Sequence, residues 1–169
     1  GALAVVRDVS GRKSMETALA ENEQRFRTLI DGANDAIFMF YMLPDGSPGP
    51  FIEANAEACR RLKYTKEELC ALTPADINAK DTAADLQRII GELQAKGSMV
   101  IQVAHVAKDG TKIPVEISSM VIEYKGKPAV ISIARDISER IKTAEDLKRR
   151  AEVEKLISDI SQIVAYYGD

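Results

Sequence analysis

Few side chains in this sequence are of the types that do chemistry. His105 is the single histidine. One imidazole without partners does not make a metal centre, so it reads as structural. Cys59 and Cys70 are the two cysteines, too few for a disulfide framework. They read as free, buried or half-buried thiols in a reducing compartment. There is no Gly-rich phosphate loop, no pair of carboxylates in a plausible pocket, and no phospho-acceptor histidine on a helix. Asp and Glu fall at helix starts and on solvated faces. These residues point away from catalysis and toward a binding or relay module.

The bulk properties narrow the partners. The net charge of -3 carries no basic excess, which excludes nucleic acid and direct contact with an anionic membrane as main partners. No apolar run approaches the roughly 18 residues that would span a bilayer. The chain lacks an initiator Met and a signal-like segment, so it reads as a piece of a longer protein. The expected location is cytoplasmic, with any membrane segment of the parent lying elsewhere.

The elements that must position these residues follow from periodicity and caps. Residues 11–30 read as a helix in which Met15, Leu19, Asn22, Phe26 and Leu29 recur at heptad spacing. That seam fits either a surface helix on its own domain or a short dimeric coiled coil. Residues 36–42 form a strand apolar on both faces, expected to be covered on both sides. After the turn cluster PDGSPGP, residues 51–54 restart as a second strand. Three helix starts then crowd together: Asn55 as a cap, Thr65 to Glu68 as a capping box, and Thr73-Pro74-Ala75-Asp76. A longer helix is expected over residues 82–96, with Leu86, Ile89, Ile90 and Leu93 on one face. Three β-rich runs close the sheet, at 99–107, 111–124 and 127–136. Asp109-Gly110 and Lys125-Gly126 separate them as tight hairpins. In the middle run Ile113, Val115, Ile117, Ser119 and Val121 alternate with the residues of the other face. Beyond Asp136 the chain is helical to about Val164, and Asp136 to Glu139 can form a capping box. From Val153 the apolar face becomes denser, through Leu156, Ile157, Ile160, Ile163 and Val164, and such a face needs a partner.

One phrase occurs twice. "RDVSGRK" at Arg7 to Lys13 and "RDISERI" at Arg135 to Ile141 lie 128 positions apart, and both follow a short apolar strand and lead into a polar helix. A fixed offset is the mark of tandem units. The division read from it is as follows: 1–8 ends a preceding unit, 9–25 is a linker helix and 26–137 is one complete domain. Residues 138–152 form an outgoing helix, and 153–169 open a further domain.

Two strands, short helices, one longer helix and three strands make an α+β pattern: a five-stranded antiparallel sheet with helices on one face. The wording resembles PAS domains of prokaryotic sensor proteins. "FRTLIDGANDAIFMF" resembles their entry helix and first strand, and "FIEANAEACRRLKYTKEEL" their second strand and Asn-started helix. "HVAKDGTKIPVEISSMVI" resembles their closing hairpin, and "ARDISERI" the Asp-Ile-Thr ending, with Ser138 in place of Thr. The C-terminal part at 99–141 corresponds to the PAC-like portion. "AEVEKLISDISQIVA" resembles the opening helix of a GAF domain. Lys63 departs from the family, which usually has Gly before Tyr64.

The resemblance implies strand order 2-1-5-4-3 and a ligand pocket between the sheet's inner face and the helices. Alternation then nominates Phe38, Cys59, Ile77, Val103, Ile117, Ser119 and Ser132 as pocket residues, with the two serines able to orient a polar group or simply to bond locally. A haem-binding relative would need an axial histidine on the long helix, and a flavin-binding photosensor would need Asn-Cys-Arg-Phe-Leu-Gln; neither is present. No cofactor is expected; the pocket region is either a filled core or the seat of an unknown small-molecule ligand. Arg135, Asp136 and Ser138 would relay the signal: Asp136 caps the outgoing helix, and Arg135 pairs with an acid on that helix. Met15, Leu19, Asn22, Phe26 and Leu29 would form the seam of a parallel homodimer, joined by Met120, Ile122 and Tyr124 on the sheet's outer face. The other partners would be PAS, GAF or kinase domains of the same chain. The output would be a histidine kinase, with a diguanylate cyclase or phosphodiesterase as the alternative.

Overall fold

A computed structural model describes residues 9–79 and 85–167. The expected strand at 1–8 and the expected helix residues 82–84 lie outside the described residues. The elements run α1 (Val9–Asp31), β1 (Ala36–Met42), β2 (Pro48–Ala54), α2 (Ala56–Leu62), α3 (Lys66–Cys70) and α4 (Pro74–Ile77). They continue as α5 (Leu86–Lys96), β3 (Ser98–Val106), β4 (Lys112–Tyr124), β5 (Lys127–Asp136) and α6 (Ser138–Tyr167). The sheet is five-stranded and antiparallel, in the order β2-β1-β5-β4-β3.

Local chemistry fixes the short helices. Asn55 accepts from the Ala58 N–H and starts α2. Thr65 and Glu68 bond each other's backbone N–H groups and start α3. Asp76 accepts from both the backbone N–H and the hydroxyl of Thr73, with Pro74 opening α4. Gly97, at φ 76°, ends α5 by donating its N–H to Leu93. Lys125 and Gly126 both take positive φ, which gives the β4–β5 hairpin the mirror-image turn that matches strand twist. The other hairpin is longer than a two-residue turn. Ala107 donates to Thr111 across it, and Gly110 takes φ 85°.

The core lies between the sheet's inner face and α2 to α5. Phe38, Phe40, Phe51, Leu62, Leu69, Ile77, Leu93, Val115 and Val130 are buried there. β1 differs from the two-sided cover expected of it: Ala36, Phe38 and Phe40 are buried, while Ile37, Met39 and Tyr41 are half-buried on the outer face. Neighbouring side chains shield that outer row, as where Tyr41 and Tyr124 set their rings 6.2 Å apart. β2 starts three residues earlier than the apolar pattern indicates, because Pro48 still pairs with Met42 of β1 beyond a register irregularity.

Asn55 joins the entry of the domain to its core. Its Oδ1 also accepts from Ile37, and its Nδ2 donates to the carbonyls of Ile30 and Asp35. One buried side chain thus ties the end of α1, the start of β1 and the start of α2. The sequence shows only its capping role. α6 is one continuous helix with no break near Val153. No described helix is long and apolar enough to cross a membrane.

Candidate functional site

A cavity of about 60 Å³ lies between the inner face of the sheet and α4 and α5. Its walls are mainly apolar: Phe38, Phe40 and Phe51 from β1 and β2, Ile77 from α4, Leu86, Ile89, Ile90 and Leu93 from α5, and Met99, Ile101 and Ile117 from the sheet. Of the residues nominated from sequence, Phe38, Ile77, Ile117, Ser119 and Ser132 meet at this cavity. Cys59 and Val103 do not line it; both are half-buried and pack against the core instead. Burial raises the Cys59 and Cys70 thiols above their ordinary pKa, which makes them poor nucleophiles.

Ser119 and Ser132 face each other across β4 and β5, and their hydroxyls are 2.8 Å apart in a hydrogen bond. The alternation of β5 turns Ser132 inward, where it is buried. The other polar groups of the wall are Asn78 and His105. His105 is 2% exposed, and its ring meets Phe38 edge-on with centroids 5.9 Å apart. Burial, and then the nearby Arg61 charge, push the imidazole pKa down to about 4. An isolated antiparallel bridge pairs Asn78 with His105. Among the described residues, neither His105 Nδ1 nor Asn78 Oδ1 has a hydrogen-bond partner. Sequence patterns could not find this pair. Asn78 follows a one-turn helix with no periodicity, and the bridge joins segments distant in the chain.

A second cluster sits where the sheet hands over to α6. Arg61 is nearly buried and donates to the carbonyls of Ala134 and Asn34 while pairing with Glu57. Arg60, and beyond it Arg61, holds the Glu57 carboxyl below its ordinary range against the opposing effect of burial. Arg135 bonds Asp35, just ahead of β1, at 3.0 Å. This corrects the expectation of an acid on the outgoing helix. Arg135 is the Cα partner of Glu116 on an outward row of the sheet, so its reach is across the sheet and not along the helix. The helix makes its own link back, from Arg140 to Glu116. Asp136 accepts from the Ser138 N–H at 2.8 Å, which forms a turn two residues long in place of the capping box expected with Glu139. Ile137 is the half-in residue: it is buried, donates to Pro114 and accepts the first helical bond from Ile141. Burial opposes ionisation of Asp136, but its bonds with Ser138, together with Arg61, hold the carboxyl below the ordinary range.

The third feature is apolar exposure. Met15, Leu19, Phe26 and Leu29 are 62–77% exposed along α1, so this seam is not packed on its own domain. Val100, Met120 and Ile133 are exposed on the outer face of the sheet. Val153, Leu156, Ile157 and Ile160 are exposed on α6, while the side chains of Ile163 and Val164 lie outside the described ones.

Comparison with known proteins agrees with this architecture. A family model described as "PAS domain" matches residues 34–139. The methyl sulfide methyltransferase-associated sensor of Methanosarcina acetivorans is 36% identical over 132 residues, covering 78% of this chain and 13% of that protein. Sporulation kinase E of Bacillus subtilis is 30% identical over 138 residues, covering 80% of this chain and 18% of that protein. The chain therefore spans less than a fifth of the length of either curated relative. Among solved structures, the PAS domain of an HTR-like protein from Haloarcula marismortui superposes with a TM-score of 0.65 at 22% identity. It covers 74% of this chain and 99% of that one.

Proposed function

The chain belongs to the PAS domain family, and from that premise we propose that it is the ligand-sensing and relay module of a larger sensor histidine kinase. The observation that carries this reading is the path of β5. One strand holds Ser132 at the cavity, Ala134 and Arg135 at the Arg61 and Asp35 contacts, and Asp136 at the start of α6. A change at the cavity wall reaches the outgoing helix within a single hydrogen-bonded element. Kinship to a sporulation kinase supports the kinase output. The cavity's volume of about 60 Å³ favours a small ligand over haem or flavin. Exposed α1 and outer-sheet residues support a parallel homodimer in which Met15, Leu19, Asn22, Phe26 and Leu29 form the seam.

The test uses the full-length parent. Autophosphorylation is measured across a panel of small metabolites, with and without Ser119→Leu, which fills the cavity. A compound that changes the wild-type rate, and has no effect on a Ser119→Leu protein that still folds, supports the reading. A response that survives the substitution unchanged places the sensor elsewhere. Absorbance of the purified chain is a second check: a visible band from bound haem or flavin would overturn the small-ligand reading.

A further inference from the structure

We propose that the cavity is built for a small, uncharged aliphatic alcohol, its hydroxyl seated between Asn78 Oδ1 and His105 Nδ1. This rests on the reading of the domain as a small-molecule sensor and specifies the chemical class. Two buried polar atoms without partners among the described residues, side by side in one wall, are costly to a fold unless something meets them. The bridge between Asn78 and His105 brings their side chains to the same side of the pairing, where both border the cavity.

Their chemistry selects the ligand group. A carboxamide oxygen only accepts, and a neutral imidazole can donate from Nδ1. A hydroxyl gives its hydrogen to Asn78 and receives one from His105, so it satisfies both at once. A carbonyl would serve His105 alone and leave Asn78 unmet. Charged groups find no counter-charge among the described residues, none of which lines the cavity with a Lys, Arg, Asp or Glu. His105 stays neutral down to about pH 4. The nearby Arg61 guanidinium is already engaged by Ala134, Asn34 and Glu57. A carboxylate, phosphate or ammonium would lose its hydration without replacement. Size completes the selection. The volume of about 60 Å³ is roughly twice the share of one liquid water, and well under the roughly 150 Å³ that admits benzene. A hydroxyl on a single carbon, roughly twice the volume of a water, fills it; a longer chain, a ring or a cofactor does not fit.

The test exploits the single histidine of this chain, whose ring nitrogens give unambiguous resonances. The 169-residue protein, labelled with nitrogen-15 in the imidazole and backbone, is titrated near pH 7 with methanol, formate and methylammonium. We expect methanol to shift the His105 Nδ1 resonance saturably, together with the amides of residues 77–79 and 104–106, while the two ions do not. Asn78→Leu should weaken the methanol response at least about tenfold. If that variant fails to fold, the wild-type Nδ1 shift decides alone. A linear, non-saturating response to methanol, or an equal response to formate, overturns the proposal. Saturation of the same amides by another class of metabolite, with methanol inert, overturns the alcohol but leaves the sensor reading standing. A cavity that holds only water and saturates with no compound removes both.

Discussion

Lys63 ends α2 at φ 61°, a conformation that costs a side-chain-bearing residue about 1–2 kcal/mol. The Gly usual at this position in relatives is thereby explained: the helix stops in the left-handed region. Lys63 also pairs with Asp109, but both groups are about half exposed and such a pair is worth little. Lys63→Gly should therefore stabilise the domain by about 0.5–1 kcal/mol in urea denaturation, and a loss of stability would show that the ion pair dominates. Asn55 makes the opposite case. Asn55→Ala removes a cap and leaves buried N–H and C=O groups unmet, for a loss of about 2–4 kcal/mol. Asn55→Asp should be nearly as damaging, because its carboxylate would face the carbonyls of Ile30 and Asp35; a near-neutral Asp variant would mean those contacts contribute little. His105 sets a pH dependence. Its folded pKa, about 4, lies below the ordinary 6.5. Between these values the unfolded chain binds a proton that the folded one does not, so stability falls as pH drops from about 6.5 toward 4. The full change is on the order of 3 kcal/mol at 1.36 kcal/mol per pH unit. His105→Phe should flatten the unfolding free energy across that window, above the range where the carboxylates protonate. An unchanged slope would assign the effect to other groups.

Elements were legible where their causes are local. The caps at Asn55 and Thr65 declare themselves within four residues and are present, while at Thr73 the backbone N–H and hydroxyl both donate to Asp76 instead. The Lys125-Gly126 turn and the inward row Val115, Ile117 and Ser119 follow from backbone freedom and period-two alternation. Contacts made across the chain were not legible in the same way. Arg61 looks like one more charge on a solvated helix, yet it reaches Ala134 on β5, 73 positions away. The partner of Arg135 lies 100 positions back, at Asp35, where no helical spacing points to it. The cavity was half legible for the same reason: alternation finds Ser119 and Ser132, but only the fold brings Asn78 beside His105. At the joint itself, Asp136 holds Ser138 and Ile137 anchors the helix start to Pro114. Asp136→Ala should cost about 0.5–2 kcal/mol as a lost cap-like bond, and, under the proposed function, it should weaken the coupling of the full-length protein's output to its signal more than that loss alone implies. Comparing output with a cap loss of similar size at Thr65→Ala separates the two effects. Equal behaviour of the two variants would reduce Asp136 to a structural role.

At the scale of the molecule, two long helices leave the sheet with their apolar residues uncovered, and that arrangement suits a dimer in which helix rotation carries the signal. Met15, Leu19, Phe26 and Leu29 form a regular seam on α1. Sedimentation at high micromolar concentration should show a dimer that Leu19→Glu with Phe26→Glu dissociates; a monomeric wild type would count against the seam. On α6 the apolar residues after the joint are sparse: Ile141, Ala144, Leu147 and Ala151. A weak seam moves between packings at low cost, as a two-state relay requires. The helix nonetheless runs unbroken for 30 residues, so a turn at Ser138 is delivered in phase at its far end. One inserted residue rotates everything downstream by about 100°, whereas seven inserted residues leave it only about 20° out of phase. Single insertions near Lys142 in the full-length protein should therefore lock or abolish its output, and a seven-residue insertion should largely preserve it. With the proposed kinase output, autophosphorylation measured over insertions of one to seven residues should rise and fall with helical phase. A response that declines smoothly with length, or ignores length, would make α6 a tether and leave rotation without a role.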